Sequence, residues 1–209
     1  MNVYEIFRSL QGETSRVGLP MDFVRLAGCD LACSYCDTPE ARDASAGRDM
    51  SVAEVLAALP APPLEWVMIT GGEPLLQVDA VNALVDALHA GGRPSLVETS
   101  GAHPTDTLDP RAIRILDWKT PGSGMAERMC RENLGRLRPE DEVKFVLTGR
   151  SDYEWARQIT ADERLVERAT VLFGPARPHL DEKTLAGWLA SDALTVRLNV
   201  QLHKWLGFR

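Results

Sequence analysis

Three closely spaced cysteines, Cys29, Cys33 and Cys36, point most directly to chemistry in this sequence. Thiolates are soft ligands that favour iron–sulfur clusters, copper(I) or zinc. A structural zinc site is closed by four ligands, and no fourth cysteine or histidine stands close to these three. Three thiolates would therefore leave one metal position open. The alternatives are three buried small apolar side chains and an atypical zinc site.

Polar or glycine-rich strings follow four apolar segments of the chain. The cysteine loop follows the apolar residues 23–29, and the strings TGGEP, ETSG and DWKT occupy residues 70–74, 98–101 and 117–120. Active sites of β/α barrels are built at the carboxyl ends of the strands. Paired glycines also allow a backbone to approach a ligand closely. We therefore expect one site assembled from four strand ends.

Strand-like and helix-like segments alternate, which predicts an α/β fold with a parallel sheet, open or barrel-like. Capping boxes predict helix starts at Ser51 with Glu54 and at Ser151 with Glu154. A third helix should end at Gly91, and a fourth should span residues 181–189. Strands are predicted at residues 23–29, 65–70, 95–99, 113–119, 142–147, 170–173 and, with strict alternation, 195–202.

Two crossovers lack a helical stripe, at residues 102–111 and 121–139. A barrel that lacks some of its helices and is incompletely closed is therefore expected. The sequence contains no linker-like tract, so residues 1–209 are expected to form a single domain.

The overall charge limits the class of partner. The net charge is −7 with a pI near 5.2, which argues against binding to nucleic acid or a membrane surface. No apolar run approaches the roughly 20 residues that span a bilayer, and the first residues do not have the pattern of a secretory signal. We expect a cytoplasmic protein. Cys130 stands far from the other three cysteines and is expected to be inert.

The spacing Cys-x3-Cys-x-Tyr-Cys, with GGEP after the next strand, resembles the radical S-adenosylmethionine superfamily. The resemblance implies a partial, helix-depleted (β/α) barrel. It implies a four-iron, four-sulfur cluster on Cys29, Cys33 and Cys36, whose open iron binds S-adenosylmethionine. The cofactor-binding residues implied by the same comparison are Tyr35, Cys36, Asp37, Gly72, Glu73, Ser100, Trp118, Lys119, Thr120, Phe173, Gly174, Pro175 and Ala176.

A longer set of matches resembles the 7-carboxy-7-deazaguanine synthase family over nearly the whole chain. These matches are EIFRSLQGE at residues 5–13, FVRLAGC at 23–29, CDT at 36–38, GGEP, ETSG and QLHK at 201–204. The resemblance implies a carbon–nitrogen lyase of queuosine biosynthesis, which contracts the ring of 6-carboxy-5,6,7,8-tetrahydropterin and releases ammonia. It also implies Mg²⁺ at Thr38, a reductant of the flavodoxin or ferredoxin type, and a homodimer.

The resemblance places the substrate among residues from several parts of the chain. Arg25 stands in an apolar strand, where a buried arginine needs a partner. That partner is either the substrate carboxylate or an internal glutamate. His203 is expected in the pocket or, alternatively, in a structural role. The substrate-binding residues predicted in this way are Leu10, Gln11, Gly12, Glu13, Arg25, Thr70, His203 and Arg209.

Two other functions fit part of the pattern. An activase that makes a glycyl radical on a partner protein would share the cysteine loop, but it usually carries extra cluster cysteines. A non-catalytic iron–sulfur carrier or zinc-binding module would not need GGEP or the polar strand ends.

Overall fold

The computed structural model of the chain describes residues 1–208, so the predicted substrate contact of Arg209 lies outside the described residues. Within that range, nine strands form one sheet in the order β3-β1-β2-β4-β5-β6-β7-β8-β9. The strands are β1 (Asn2–Leu10), β2 (Pro20–Leu26), β3 (Arg48–Asp49), β4 (Val67–Gly71), β5 (Ser95–Thr99), β6 (Ile113–Trp118), β7 (Glu142–Leu147), β8 (Thr170–Pro175) and β9 (Arg197–Leu198).

The sheet is an open, partial barrel, as the sequence predicts. From β2 to β9 every neighbouring pair is parallel, whereas β1 runs antiparallel to both β2 and β3. The two edge strands, β3 and β9, lie at opposite ends of this order. The expectation of an α/β, helix-depleted barrel is confirmed.

The described residues form six helices. They are α1 (Val52–Ala58), α2 (Val78–Ala90), α3 (Glu132–Gly135), α4 (Arg150–Asp162), α5 (Glu182–Ser191) and α6 (Leu202–Leu206). The predicted capping box of α1 is present, with the Ser51 hydroxyl accepting from the Glu54 N–H and the Glu54 carboxylate accepting from the Ser51 N–H. The two shortened crossovers contain only 3-10 turns and the four-residue α3.

The second predicted capping box is wrong. Helix α4 begins at Arg150, with Gly149 as an N-cap that makes no side-chain hydrogen bond. Ser151 therefore lies inside the helix, where it cannot cap it. The buried Asp152 carboxylate instead accepts hydrogen bonds from the Thr148 N–H and hydroxyl, at 2.9 and 2.8 Å.

The alternation of side chains along the strands separates an apolar core from a polar cavity. Val24, Ile69 and Leu116 point to the helices and are fully buried in the two large cores. The opposite face is apolar at its base, where a small core closes the barrel with Met21, Met68, Leu96 and Ile115. Side chains nearer the carboxyl ends of β2, β4, β5, β6 and β7 are polar, among them Arg25, Thr70, Glu98, Asp117 and Lys144.

The end of the chain differs from the prediction of a strand over residues 195–202. Only Arg197–Leu198 pairs with β8, and the chain then turns into α6. The turn forms because the Leu202 N–H donates to the Gly12 carbonyl at 2.9 Å rather than to a strand. Strand β1 was not predicted, because apolar and polar residues do not alternate strictly in its sequence, NVYEIFRSL. Among residues 1–208, no helix is long and apolar enough to cross a membrane.

Candidate active site

A cavity of about 290 Å³ opens at the carboxyl ends of the parallel strands. All four polar strand ends reach it, together with the β1–β2 connection and the residues before and within α6. Of the predicted site residues, its wall contains Leu10, Gln11, Gly12, Glu13, Arg25, Cys29, Cys33, Tyr35, Cys36, Asp37, Thr38, Thr70, Gly72, Ser100, Lys119, Pro175, Ala176 and His203.

Five predicted cofactor contacts are not part of the cavity wall: Glu73, Trp118, Thr120, Phe173 and Gly174. Trp118 and Phe173 belong to the core between the sheet, α4 and α5. The Thr120 hydroxyl is fully buried and lies 2.9 Å from the Asp152 carboxylate. Direct contact between these five residues and a cofactor stays a prediction.

The cysteine loop has no helix or strand and is held by backbone hydrogen bonds at its start and in its middle. The Gly28 N–H donates to the Ala41 carbonyl, and the Cys29 N–H donates to the Arg42 carbonyl. In the middle, the Ser34 N–H donates to the Ser123 carbonyl at 3.0 Å. The crossover that lacks a long helix thus supports the loop that carries the thiols.

Cys29, Cys33 and Cys36 present three free, half-buried thiols to one cavity. Burial raises the pKa of Cys29 and of Cys33 above the usual value for a thiol. Neutral, partly desolvated thiols are poor ligands until a metal replaces their protons. Three soft donors on one loop fit a four-iron, four-sulfur cluster with one iron left for another ligand. Cys130 lies away from the cavity, and its thiol donates to Glu132 at 3.2 Å.

The Gly71-Gly72 pair lets the end of β4 touch the start of the cysteine loop. Gly71 has φ +131°, a conformation that favours glycine. A Cβ on Gly72 would lie 2.0 Å from the Gly28 oxygen and 3.1 Å from the Cys29 nitrogen. Backbone therefore packs on backbone at this point, which fixes the position of the first cluster ligand.

Glu73 is fully buried behind the cavity wall. One carboxylate oxygen accepts from the Leu75 N–H and the Thr99 hydroxyl, and the other accepts from the Ser100 N–H and hydroxyl, at 2.5 to 2.9 Å. The carboxylate thus joins the loop after β4 to the end of β5. Contact between the Glu73 carboxylate and the ammonium of a bound cofactor stays a prediction.

Lys119 and Asp117 form a close pair at the end of β6. Their charged atoms are 3.0 Å apart, and Lys119 is mostly buried. The Asp117 Oδ1 atom is buried and has no hydrogen-bond partner among the described residues, which leaves an acceptor ready for a bound molecule. Nearby, the Tyr35 hydroxyl donates to the Val146 carbonyl, and burial raises the pKa of Tyr35 to about 12.

Arg25 lies on the cavity wall and has an internal partner. Its Nε donates to a Glu5 oxygen at 2.9 Å, and its Nη1 lies 3.3 Å from the Thr38 hydroxyl oxygen. The guanidinium also stands 5.6 Å above the centre of the Phe7 ring. The internal glutamate, one of the two partners that the sequence allowed for Arg25, is therefore present. The guanidinium still borders the cavity.

The C-terminal segment closes one side of the cavity. Gln201 donates to Glu13 at 2.9 Å, and Lys204 donates to Asp37 at 3.0 Å. The ring of His203 lies against Gly12, where a Cβ would come within 1.7 Å of Nδ1. Burial lowers the pKa of His203, so the ring is neutral near pH 7.

The chain is similar to known proteins over nearly its whole length. Residues 24–117 match the model of the radical SAM superfamily. A 7-carboxy-7-deazaguanine synthase from Chlorobaculum tepidum is 40% identical, over 99% of this chain and 94% of the relative. A second, from Koribacter versatilis, is also 40% identical, over 99% of this chain and 96% of the relative.

This chain belongs to the 7-carboxy-7-deazaguanine synthase family. The crystal structure of QueE from Escherichia coli superposes with a TM-score of 0.73 at 25% identity, and the match covers 97% of this chain and 94% of that one. The resemblance inferred from the sequence motifs is confirmed. As a radical SAM protein, this synthase family member uses a four-iron, four-sulfur cluster and S-adenosylmethionine.

The sequence motifs missed one central residue of the synthase cavity. Lys144 lies on β7 and reaches the cavity with a side chain that is only 5% exposed. The sequence does mark Lys144 as a candidate site residue, because it is the single basic residue in the otherwise apolar string VKFVL. The same signal singled out Arg25, which had the further support of a family motif.

Proposed function

We propose that the chain catalyses the radical ring contraction of 6-carboxy-5,6,7,8-tetrahydropterin to 7-carboxy-7-deazaguanine, as a carbon–nitrogen lyase that releases ammonia in queuosine biosynthesis. The observation that carries the proposal is one cavity whose lining combines the three thiols with Gly71, Gly72 and the polar side chains of Arg25, Glu13 and Glu98. The similarity to synthases over 99% of the chain supports the same reaction.

The cavity lining offers groups for two bound molecules. When bound, the cluster and S-adenosylmethionine supply the radical that starts the reaction. Cys29, Cys33 and Cys36 would hold the cluster, and Gly72 and Ser100 would border the cofactor. Arg25, Glu13 and His203, which line the same cavity, would hold the pterin and exclude water.

The polar side chains that line the cavity match the charge pattern of a carboxypterin. Arg25 offers a cation to the carboxylate, and such a pair is strengthened by partial burial. Glu13 and Glu98 offer acceptors to the donor-rich edge of the aminopyrimidine ring. Thr70 donates to Glu98 at 2.9 Å and so fixes one of these acceptors.

We also propose that Thr38 binds Mg²⁺ when the substrate is present. Its hydroxyl borders the cavity and lies 3.3 Å from an Asp37 carboxylate oxygen. Among residues 1–208, no three His, Cys, Asp or Glu side chains are arranged to hold a single ion. Mg²⁺ commonly keeps several waters and takes other ligands from the substrate, so a site with one protein hydroxyl suits it.

The family resemblance supports two further proposals, an external one-electron reductant of the flavodoxin or ferredoxin type and a homodimer. We also propose, from the sequence pattern, a cytoplasmic location and a single domain over residues 1–209. The continuous nine-stranded sheet within residues 1–208 supports the single domain.

The test is an anaerobic assay of reconstituted protein with the carboxypterin, S-adenosylmethionine, Mg²⁺ and a chemical reductant. We expect product of the mass of 7-carboxy-7-deazaguanine, together with ammonia. Reductive cleavage of S-adenosylmethionine without any pterin-derived product would instead favour an activase. Absence of cleavage in protein with full iron content would favour an electron carrier.

Replacing Arg25 should weaken substrate binding. Loss of a partly buried charge partner costs roughly 2–5 kcal/mol, so Arg25→Ala should raise the dissociation constant of the carboxypterin by at least about 30-fold. Arg25→Lys should not restore affinity, because an ammonium lacks the planar fork that bonds Glu5 and the substrate together. Anaerobic calorimetry measures both. The surface variant Arg131→Ala is the matched control, and unchanged affinity in Arg25→Ala would refute the pairing.

Replacing Thr38 should change the response to magnesium. Thr38→Ala removes the only proposed protein ligand, so turnover should fall and depend weakly on added Mg²⁺. Thr38→Ser keeps the hydroxyl and should keep the wild-type response. Iron content and thermal stability should stay close to wild type in both variants. The measurement is turnover as a function of Mg²⁺ concentration in the three proteins. Wild-type turnover that does not change when a magnesium chelator is added would contradict the assignment.

A further inference from the structure

Lys144 is the centre of a buried charge cluster that joins three distant parts of the chain. Its Nζ lies 2.6 Å from a Glu13 oxygen, 2.5 Å from a Glu98 oxygen and 3.3 Å from an Asp117 oxygen. Glu13 belongs to the β1–β2 connection, Glu98 to β5 and Asp117 to β6. One ammonium therefore bridges three carboxylates that would otherwise repel one another.

Both glutamates of this cluster are held at a second point and border the cavity. The other oxygen of Glu13 accepts from the Gln201 amide at 2.9 Å, and the other oxygen of Glu98 accepts from the Thr70 hydroxyl at 2.9 Å. Each carboxylate is thus fixed in one orientation. Because a carboxylate has about four acceptor positions, each keeps capacity for a donor in the cavity.

The geometry points to Lys144 as a positioning residue for the substrate. We propose that its ammonium holds Glu13 and Glu98 side by side as two ionised acceptors, aimed at a donor-rich edge of a ring such as an aminopyrimidine. The inference rests on the proposed function and deepens it. Lys144 acts through the two glutamates and need not touch the substrate itself.

The charges around Lys144 determine how the cluster responds to pH. Burial by itself would lower the pKa of Lys144, but Asp117, Glu13 and Glu98 outweigh it and raise that pKa well above the usual range. Burial raises the pKa of Glu98, and Lys144 opposes this rise. Other charged or titratable groups among the described residues also act on members of the cluster: Lys119, Asp37, His203, Tyr35 and Cys33.

Removing the ammonium should therefore change the pH profile of binding. Without it, the pKa of Glu98 rises further, and Glu98 takes up a proton at a higher pH. A protonated carboxyl offers one acceptor fewer, so affinity should fall on the acid side and recover as pH rises. A loss of packing alone would weaken binding by the same factor at every pH.

The experiment compares Lys144→Met, Lys144→Arg and Lys183→Met, a control at an exposed lysine of α5. The dissociation constant of the carboxypterin is measured anaerobically from about pH 5.5 to about pH 9. We expect Lys144→Met to weaken binding at least about 30-fold at neutral pH. The acid limb of its affinity profile is the pH range in which affinity falls as the solution becomes more acidic. We expect this limb to lie at least about one pH unit higher than in the wild type. Lys144→Arg should restore most of the affinity, and the control should match wild type.

Each outcome decides between the possibilities. Wild-type affinity in Lys144→Met, or a uniform loss with an unmoved acid limb, overturns the positioning role alone. No binding by the wild-type protein overturns the proposed function and the positioning role with it. If Lys144→Met does not fold, Glu98→Gln replaces it. That variant removes the titrating carboxyl, so its affinity should lack the acid limb, and an unchanged limb would overturn the inference.

Discussion

Cys33→Ala is expected to lose most of its bound iron and all turnover, and the same holds for Cys29→Ala and Cys36→Ala. The three thiols share one short loop that faces the cavity, and the structure holds that loop by contacts other than the thiols themselves. Removal of one thiol leaves two ligands on a cluster that already has one iron without a cysteine. Two thiolates cannot retain a cubane cluster against solvent and chelators.

The measurement is iron and sulfide content after anaerobic reconstitution, together with reductive cleavage of S-adenosylmethionine. Cys130→Ala is the matched control, because that thiol lies outside the cavity and bonds only Glu132 among the contacts described. It should keep both iron and activity. Full iron content and activity in Cys33→Ala would refute the cluster assignment.

Gly72→Ala is expected to destabilise the protein and displace the cysteine loop. The added methyl would lie 2.0 Å from the Gly28 oxygen and 2.4 Å from the Gly28 carbonyl carbon. Both are backbone atoms, held by the hydrogen bond from the Glu73 N–H to the Gly28 carbonyl at 2.8 Å. The methyl cannot be accommodated by a rotamer change, so the β4 end and the cysteine loop must separate.

Overpacking of this kind costs roughly 1–3 kcal/mol, which lowers the melting temperature of a chain of this size by roughly 2–12 °C. Thermal unfolding of metal-free protein measures the stability, and iron content after reconstitution measures the effect on the loop. Gly187→Ala is the control, since Gly187 lies inside α5 with open space around it. Alanine there should stabilise the helix by about 0.5–1 kcal/mol. A melting temperature equal to wild type in Gly72→Ala would contradict the packing argument.

One of the two crossovers that lack a long helix contacts the cysteine loop. The second of the two connections has only 3-10 turns over residues 121–128, and this segment contacts the cysteine loop. There the Gly122 carbonyl accepts from the Ser34 hydroxyl at 2.8 Å, and Arg128 bonds Asp30 at 2.8 Å. Residues 121–128 thus support the loop that carries the cluster ligands.

The sequence by itself determined the parts of this site that are local. The cysteine loop carries all three thiols within eight residues, so their proximity follows from chain connectivity alone. The polar strings at the ends of four apolar segments could be assigned to one edge, because parallel strands present their carboxyl ends together. The family motifs supplied the predicted roles of individual residues.

Only the tertiary structure decided which distant side chains meet. Glu13 lies 131 positions from Lys144 in sequence, and Glu98 lies 46 positions from it. Residue type and periodicity place Lys144 on a strand, but they do not specify its partners. The Glu5 partner of Arg25 depends on the antiparallel pairing of β1 with β2. The docking of α6 on Gly12 replaced a predicted strand, because a long-range backbone hydrogen bond outweighed the local alternation.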